Sequence, residues 1–378
     1  MLRQLVKTGV ACAFHWTGAD RLIGTLHGSR YMPLIIGYHG VVENFAASAA
    51  GYMPSMLISR AMLERQLDWL GRRYRFVSLD ELGAQLESGR PFEKPVAAIT
   101  FDDGYRNVYD HAFPLLQRKG IPSAVFVVTD LIGTSRLQIY DKLYFLLARA
   151  FSTWCSAPQE LVRRLQSLGI ALPGMGQMHT FAGDPYIAMR SLITVLPQTE
   201  LHRIMRAVEA DVEIQESELQ EHHTLSWDML EEMHRAGMII GSHTETHALL
   251  INEPWPRVLD QMENSKHALE NRLGITVRHF AYPNGSFNAA VVGAVAQAGY
   301  RFAYTTCLHR DPRYPLLTIP RLFPWEHSCV NALGRFSPSI MSCLVNGVFD
   351  FAAGCRADHG RSSPTPANLP AACDPASR

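Results

Sequence analysis

An excess of charge of either sign is missing from these 378 residues: Lys+Arg and Asp+Glu both total 35. That balance removes the electrostatic footprint on which nucleic-acid binding rests. It also leaves no long-range pull toward an anionic membrane. Cysteine pairs are missing too. Cys12, Cys155, Cys307, Cys329, Cys343, Cys355 and Cys373 are scattered, odd in number and contain no CxxC. This excludes a zinc ribbon or a disulfide framework and leads us to expect reduced thiols in a cytoplasmic protein. No run reaches the roughly 18 uninterrupted apolar residues of a membrane-spanning helix. The N-terminal stretch has Arg3 and Lys7 ahead of a short apolar segment broken by His15, Thr17 and Asp20, and no clean small-x-small site follows. We therefore expect neither a secretion signal nor a transmembrane segment. No internal repeat is visible. With 47% hydrophobic and 19% charged residues, what remains is a soluble globular chain long enough for one large domain or two ordinary ones.

What is present is an alternation of strands and helices. Residues 1–31 read as an amphipathic helical lead-in. Short apolar runs at 33–38, 95–101, 124–128, 238–240, 277–282 and 302–306 read as buried strands. Helical spacing follows from Ser59, at 108–119, 226–235, 265–273 and 289–298, and Gly120 and Pro122 close the second of these helices. Residues 44–57 read as a loop. Residues 136–225 interrupt the rhythm with helical patterns and few strand signals, and are expected to form a helical insertion. The organisation expected is thus a lead-in at 1–31, a barrel-like domain at 32–330 that includes the insertion, and a C-terminal segment at 331–353. A Pro-, Ala- and Ser-rich tail at 354–378 is expected to be disordered. Repeated βα units with polar residues at strand ends point to an α/β architecture, a barrel whose chemistry sits on the loops at the C-terminal face.

Two constellations stand at such strand ends. The first is Thr100-Phe101-Asp102-Asp103-Gly104-Tyr105. Side chains alternate along a strand, so adjacent carboxylates diverge unless the chain bends, and Gly104 permits a bend. A helix N-cap beside a solvated carboxylate is the plainer reading of the same residues. The second is Gly241-Ser242-His243-Thr244-Glu245-Thr246-His247. Two His at i and i+4 can meet on one face of a helical turn and grip an ion, although such a pair is often mere surface chemistry. It is not HExxH, so Glu245 is not placed as the base of a zincin-type protease. One Asp and two His together make a facial set of three ligands that leaves positions open for water and substrate. The other Asp is then free to act as a base.

TFDDGY, SHTETH and Arg278-His-Phe-Ala-Tyr-Pro283-Asn-Gly285, with Tyr38-His39-Gly40-Val41 upstream, resemble the motifs of the polysaccharide deacetylase family, the NodB-homology group or carbohydrate esterase family 4. The resemblance covers roughly 33–130 and 225–325. It implies a distorted (β/α) barrel with the helical insertion as an addition. Asp102 would be the catalytic base, and Asp103, His243 and His247 would hold a divalent metal ion, zinc by expectation. Tyr105 would offer a backbone N–H to the oxyanion, Arg278 would orient the base aspartate, and Pro283 would shape the groove wall. The expected reaction is hydrolysis of N-acetyl groups on a polysaccharide, oligosaccharide or lipid-linked glycan, in exopolysaccharide or cell-envelope biosynthesis. An amidohydrolase acting on a small non-sugar amide and an inactive glycan-binding barrel are the alternatives.

The sequence departs from the family pattern in one place. A late Leu-x-His general acid has no counterpart in Leu317-Thr-Ile-Pro-Arg321-Leu322, which His309 and His327 merely flank. Arg321 stays protonated and is a poor acid, so an ion pair or a sugar contact is expected of it. His39 lies either near the metal or in the core. The insertion, which separates Asp103 and His243 by 140 positions, either caps the groove and chooses the substrate or decorates the fold.

Overall fold

A computed structural model describes residues 2–26, 32–172, 183–212, 214, 222–307 and 310–349. The expected tail at 354–378 and His309 lie outside them. The six buried apolar runs form strands within a residue or two of their expected limits. These are β1 (Leu34–Tyr38), β5 (Val96–Phe101), β6 (Ser123–Val127), β7 (Ile239–Ser242), β8 (His279–Ala281) and β9 (Phe302–Thr305). Four shorter strands accompany them: β2 (Gly40–Val42), β3 (Leu57–Ser59), β4 (Arg75–Phe76) and β10 (Ile319–Pro320). The first two pair with each other beside the main sheet, and β4 pairs with the entry end of β5.

The main sheet has eight strands in the order β1-β5-β6-β7-β8-β9-β10, with β4 on the side, and every pairing is parallel. Leu322, just past β10, donates its N–H to Ile35 O at 2.9 Å and accepts from Gly37 N–H at 2.8 Å. That bridge brings the last strand back to the first, so the sheet is nearly closed into the expected distorted barrel. Strands buried on both faces need apolar side chains in both directions, and all six residues of β5 are buried. Helices cover the outside. The helix expected at 265–273 begins ten residues earlier, at Trp255, because Pro254 and Pro256 fit a helix start where they would break its interior.

The insertion is helical, as expected, with helices at Ile139–Thr153, Ala157–Ser167, Pro185–Ile193 and Gln198–Glu209. It has a core of its own, built on Leu143, Leu147, Leu161, Leu192 and Ile204. Polar bonds fasten it to the barrel. Asn252 donates to the Ile193 and Leu196 carbonyls, and Gln198 donates its backbone N–H to Glu253 and its side-chain N–H to Thr246 O. Among the described residues no helix is long and apolar enough to cross a membrane.

Candidate metal and catalytic site

At the C-terminal end of β5 the chain makes the bend that adjacent carboxylates require. Asp103 and Gly104 both adopt left-handed backbone, at φ 68° and 70°. Glycine reaches that region freely, whereas an aspartate held there is strained. The compensation comes from the neighbours. A Cβ on residue 104 would press on Val127, so Gly104 is fixed by space as well as by conformation. The two carboxylates then face the same interior and are 3% and 2% exposed.

His243 follows β7, and His247 lies four residues on. The segment between them is a loop, not the expected helical turn. Thr244 and His247 are left-handed, at φ 69° and 62°, and this double reversal turns the second imidazole back toward the first. The ring centroids lie 4.8 Å apart. Such backbone persists only where the surroundings over-determine it. Here the Thr246 hydroxyl and N–H are held by Gln261 and Gln198, and Glu245 is held by Gln261, Asn264 and Arg257.

Asp103 Oδ1 lies 3.4 Å from His243 Nε2 and 3.1 Å from His247 Nε2. It has no hydrogen-bond partner despite being buried. An orphaned buried carboxylate oxygen is costly. One that converges with two imidazoles, all donor atoms within 4.8 Å of one another, has the composition and openness of a three-ligand catalytic metal site. His243 Nδ1 sits 2.7 Å from Ala281 O. A carbonyl only accepts, so Nδ1 carries the proton and Nε2 keeps its lone pair toward Asp103. The residues present thus fit a divalent ion.

The insertion reaches this site. The Gln138 carboxamide nitrogen is 3.0 Å from His247 Nδ1, and the Tyr140 ring meets the same imidazole edge-on at 4.6 Å. Asp141 accepts a 2.6 Å hydrogen bond from the Tyr105 hydroxyl. Sequence reading passed over all three, because polar residues opening an amphipathic helix look like any helix start. The insertion is therefore part of the site wall, whatever else it does.

Of the two roles expected of Arg321, an ion pair or a sugar contact, the structure shows the ion pair. Its guanidinium forks onto Asp102, Nη1 to Oδ1 and Nη2 to Oδ2, both at 2.7 Å, and Nη1 also reaches Thr100 Oγ1. Phe126, Tyr304 and Phe323 surround it at cation–π distances. Arg278, to which this pairing was ascribed, precedes β8 at the opposite end of the barrel. It is exposed there and lies 3.6 Å from Asp80. The arginine that holds Asp102 is Arg321; Arg278 does not reach the site. Burial alone would push the Asp102 carboxyl up, but Arg321 and then His243 more than reverse this and hold it below the ordinary carboxylate value. Asp103 is held lower still: burial again opposes, and the two ligand imidazoles outweigh it. His243 is raised, because Asp102 and Asp103 overcome the effect of its burial, and His247 is lowered by burial.

Tyr105 forms an antiparallel bridge with Thr224, flanked by Leu225 N–H to Gly104 O and Arg106 N–H to His223 O, each 2.8 Å. In a bridge of that kind the central residue's own N–H points away from its partner. Pro283 is buried in a short turn after β8, two residues beyond the carbonyl that anchors His243. His39, after β1, is half-buried against Phe323. Burial lowers its pKa while Asp103 and Asp102 pull the other way. His327 packs instead between Phe45 and Trp325.

Asp141 carries a testable consequence. Burial, with a smaller push from Asp103, raises its pKa to about 7 against the pull of the Tyr105 hydrogen bond. The folded protein then keeps a proton that the unfolded chain loses near the ordinary carboxylate value, so stability falls as pH rises between the two. Asn mimics the protonated form. Asp141→Asn is expected to raise the melting temperature of the metal-free protein more at pH 8 than at pH 5; an equal change at both would contradict a buried neutral carboxyl.

A sequence profile described as "Polysaccharide deacetylase" matches residues 89–303, more than half of the chain. The chain belongs to the polysaccharide deacetylase family. Among curated relatives, the poly-beta-1,6-N-acetyl-D-glucosamine N-deacetylase of Staphylococcus epidermidis is 37% identical over 110 residues, 27% of this chain and 38% of that one. Its namesake in Staphylococcus aureus is 27% identical over 118 residues, 29% of this chain and 40% of that one. The chain thus aligns with about two-fifths of the length of these relatives. A solved structure, a Streptococcus pyogenes deacetylase in complex with acetate, is 17% identical with a TM-score of 0.52, covering 84% of this chain and 99% of that one. It supports the family's barrel fold. The family match spans TFDDGY, SHTETH and the whole of the insertion between them.

Proposed function

We propose that this family member hydrolyses the acetamide group of an N-acetylated glycan, releasing acetate and a free amino sugar. The observation that carries the reading is the buried convergence of Asp103, His243 and His247 beside an Asp102 held by Arg321. A divalent ion on the three ligands, zinc by the chemistry of the donor set, would acidify water and polarise the amide carbonyl. Asp102 is ionised at neutral pH, and its two oxygens are fixed by the guanidinium fork, so it is set to take the proton from the attacking water. The outward Tyr105 N–H supplies a backbone donor for the developing oxyanion, and Pro283 shapes the wall after β8. Likeness to the staphylococcal enzymes supports a poly-N-acetylglucosamine-like substrate and a place in exopolysaccharide or cell-envelope biosynthesis. Incubating metal-loaded protein with a panel of acetylated glycans and measuring acetate, with metal content in parallel, tests the proposal. Bound metal with no acetate from any glycan would sink it, and cleavage of small non-sugar amides alone would favour the amidohydrolase reading.

The leaving nitrogen needs a proton, and we assign its delivery to His39, which follows β1 and interacts electrostatically with both carboxylates. Its lowered pKa makes its protonated form a stronger acid than an ordinary imidazolium, and that form is depleted as pH rises through the lowered value. His39→Ala is expected to reduce kcat by about 10²–10⁴-fold and to remove the alkaline fall of the rate profile. Full activity in that variant would return proton delivery to Asp102 itself.

A further inference from the structure

The helix Leu2–Thr17 packs Ala11 and Phe14 against Ile340 and Cys343, yet leaves much of its apolar surface exposed. Polar side chains face the protein beside them. Gln4 donates to Val330 O, Lys7 donates to Ser328 O, and the Thr8 hydroxyl accepts from Ala332 N–H. At the turn into the next helix, Ala19–Leu26, Asp20 is fully buried and is held by the Ser342 hydroxyl and His15. These bonds fix the helix pair against the helix Pro338–Val345 with its orientation set. Another set of apolar side chains points outward. Leu5, Val6, Val10 and Trp16 recur at helical spacing on the exposed face, and Leu22 and Leu26 continue the pattern one turn apart. Trp16 is 86% exposed and Leu26 76%. Scattered exposed leucines are ordinary, but an ordered stripe of this kind marks a surface that something covers.

The chemistry of the surroundings says what. Arg21 stands beside Leu22, and Arg72 and Arg73 follow the helix Arg60–Gly71; all three are exposed. Arg21 and Arg72 act on Arg73 as like charges, adding to the effect of its burial. Among the described residues no ion pair ties any of the three side chains to a carboxylate. Arg73 lies over the Trp69 ring and donates to the Trp69 carbonyl, so the guanidinium groups without a carboxylate partner among the described residues are those of Arg21 and Arg72. Anionic headgroups would satisfy them while the leucines and the amphipathic indole enter the acyl boundary. Neither helix is long and apolar enough to span a bilayer, so the geometry is that of helices lying in the membrane plane.

We propose that the outward face of the N-terminal helix pair docks this protein on an anionic lipid bilayer. The inference is independent of the hydrolytic reading. Full-length protein should co-sediment with mixed phosphatidylcholine–phosphatidylglycerol vesicles and more weakly with phosphatidylcholine alone. The Trp16→Ser/Leu26→Ser variant should bind both at least about tenfold more weakly. Arg21→Glu/Arg72→Glu should lose roughly fivefold or more per residue on the mixed vesicles only. The wild-type melting temperature, expected in both because the side chains are exposed, separates lost docking from lost folding. Three results would overturn the proposal. One is no sedimentation with either vesicle, and another is binding indifferent to Trp16 and Leu26. The third is a wild-type dimer, seen by light scattering, that ignores vesicles and is split by Trp16→Ser/Leu26→Ser, which would assign the face to a second copy of the chain.

Discussion

Asp102→Asn is expected to slow acetate release by about 10³–10⁴-fold and to leave the metal content of the purified protein unchanged. The two effects separate because the adjacent aspartates face different partners. Asp103 points its orphaned oxygen at the imidazoles, while Asp102 gives both of its oxygens to Arg321. An amide in place of Asp102 keeps the shape but has no basic oxygen for a proton. It also turns an N–H toward one arm of the guanidinium, so some loss of stability accompanies the loss of rate. Asp103→Asn inverts the pattern, and metal content falls together with rate. Any acid limb that Asp102 gives the rate profile lies below the ordinary carboxylate value, because Arg321 and His243 hold its carboxyl down against its burial. A wild-type rate from Asp102→Asn would remove it as the base and with it the proposed reaction.

What could be read in the sequence follows from where the chemistry is carried. Asp102, Asp103 and His243 each end an apolar run long enough to be recognised as a buried strand, so their gathering at one face of a barrel followed from βα alternation. The turn that makes the gathering possible left no such trace. Left-handed backbone at Asp103, Thr244 and His247 is imposed by contacts from elsewhere, and nothing in the composition of SHTETH announces it. β10 was missed because it is two residues long and contains a proline, yet it delivers Arg321 to the barrel interior. The error over Arg278 had a physical remedy in the sequence itself. Arg278 precedes the strand His279–Ala281 and so enters from the N-terminal end, whereas site residues follow their strands. Arg321 follows β10 and obeys that rule. The insertion is a different case. Its helices were legible, but the contacts of Gln138 and Tyr140 with His247 and of Asp141 with Tyr105 depend on how the helical unit is set on the barrel, which no local pattern records.

Arg321→Leu is the most destructive single change this structure points to, and Arg278→Leu is its control. Removing the guanidinium leaves Asp102 buried without its charge partner, which costs about 3–5 kcal/mol and lowers the melting temperature by roughly 10 °C. Arg278 is exposed at 3.6 Å from a half-exposed Asp80, so its loss is expected to fall within about 0.5 kcal/mol. The pH dependence distinguishes an orphaned carboxylate from a hole in the packing. In the wild type the depressed Asp102 pKa stabilises the fold above the ordinary carboxylate value, and that contribution is lost as pH falls through the depressed one. Without Arg321 the pull of His243 is left against burial, the largest influence, and the carboxyl moves up. Stability of the variant then falls as pH rises through the window between the ordinary and the raised value, so its deficit against wild type should be smaller at pH 5 than at pH 8. A second substitution completes the argument. Arg321→Leu/Asp102→Leu removes the stranded charge and should recover much of the lost stability while remaining inactive. If the double variant is no more stable than Arg321→Leu, the damage lies in the lost contacts of the guanidinium with Phe126, Tyr304 and Phe323, and the ion pair is not what Arg321 chiefly supplies.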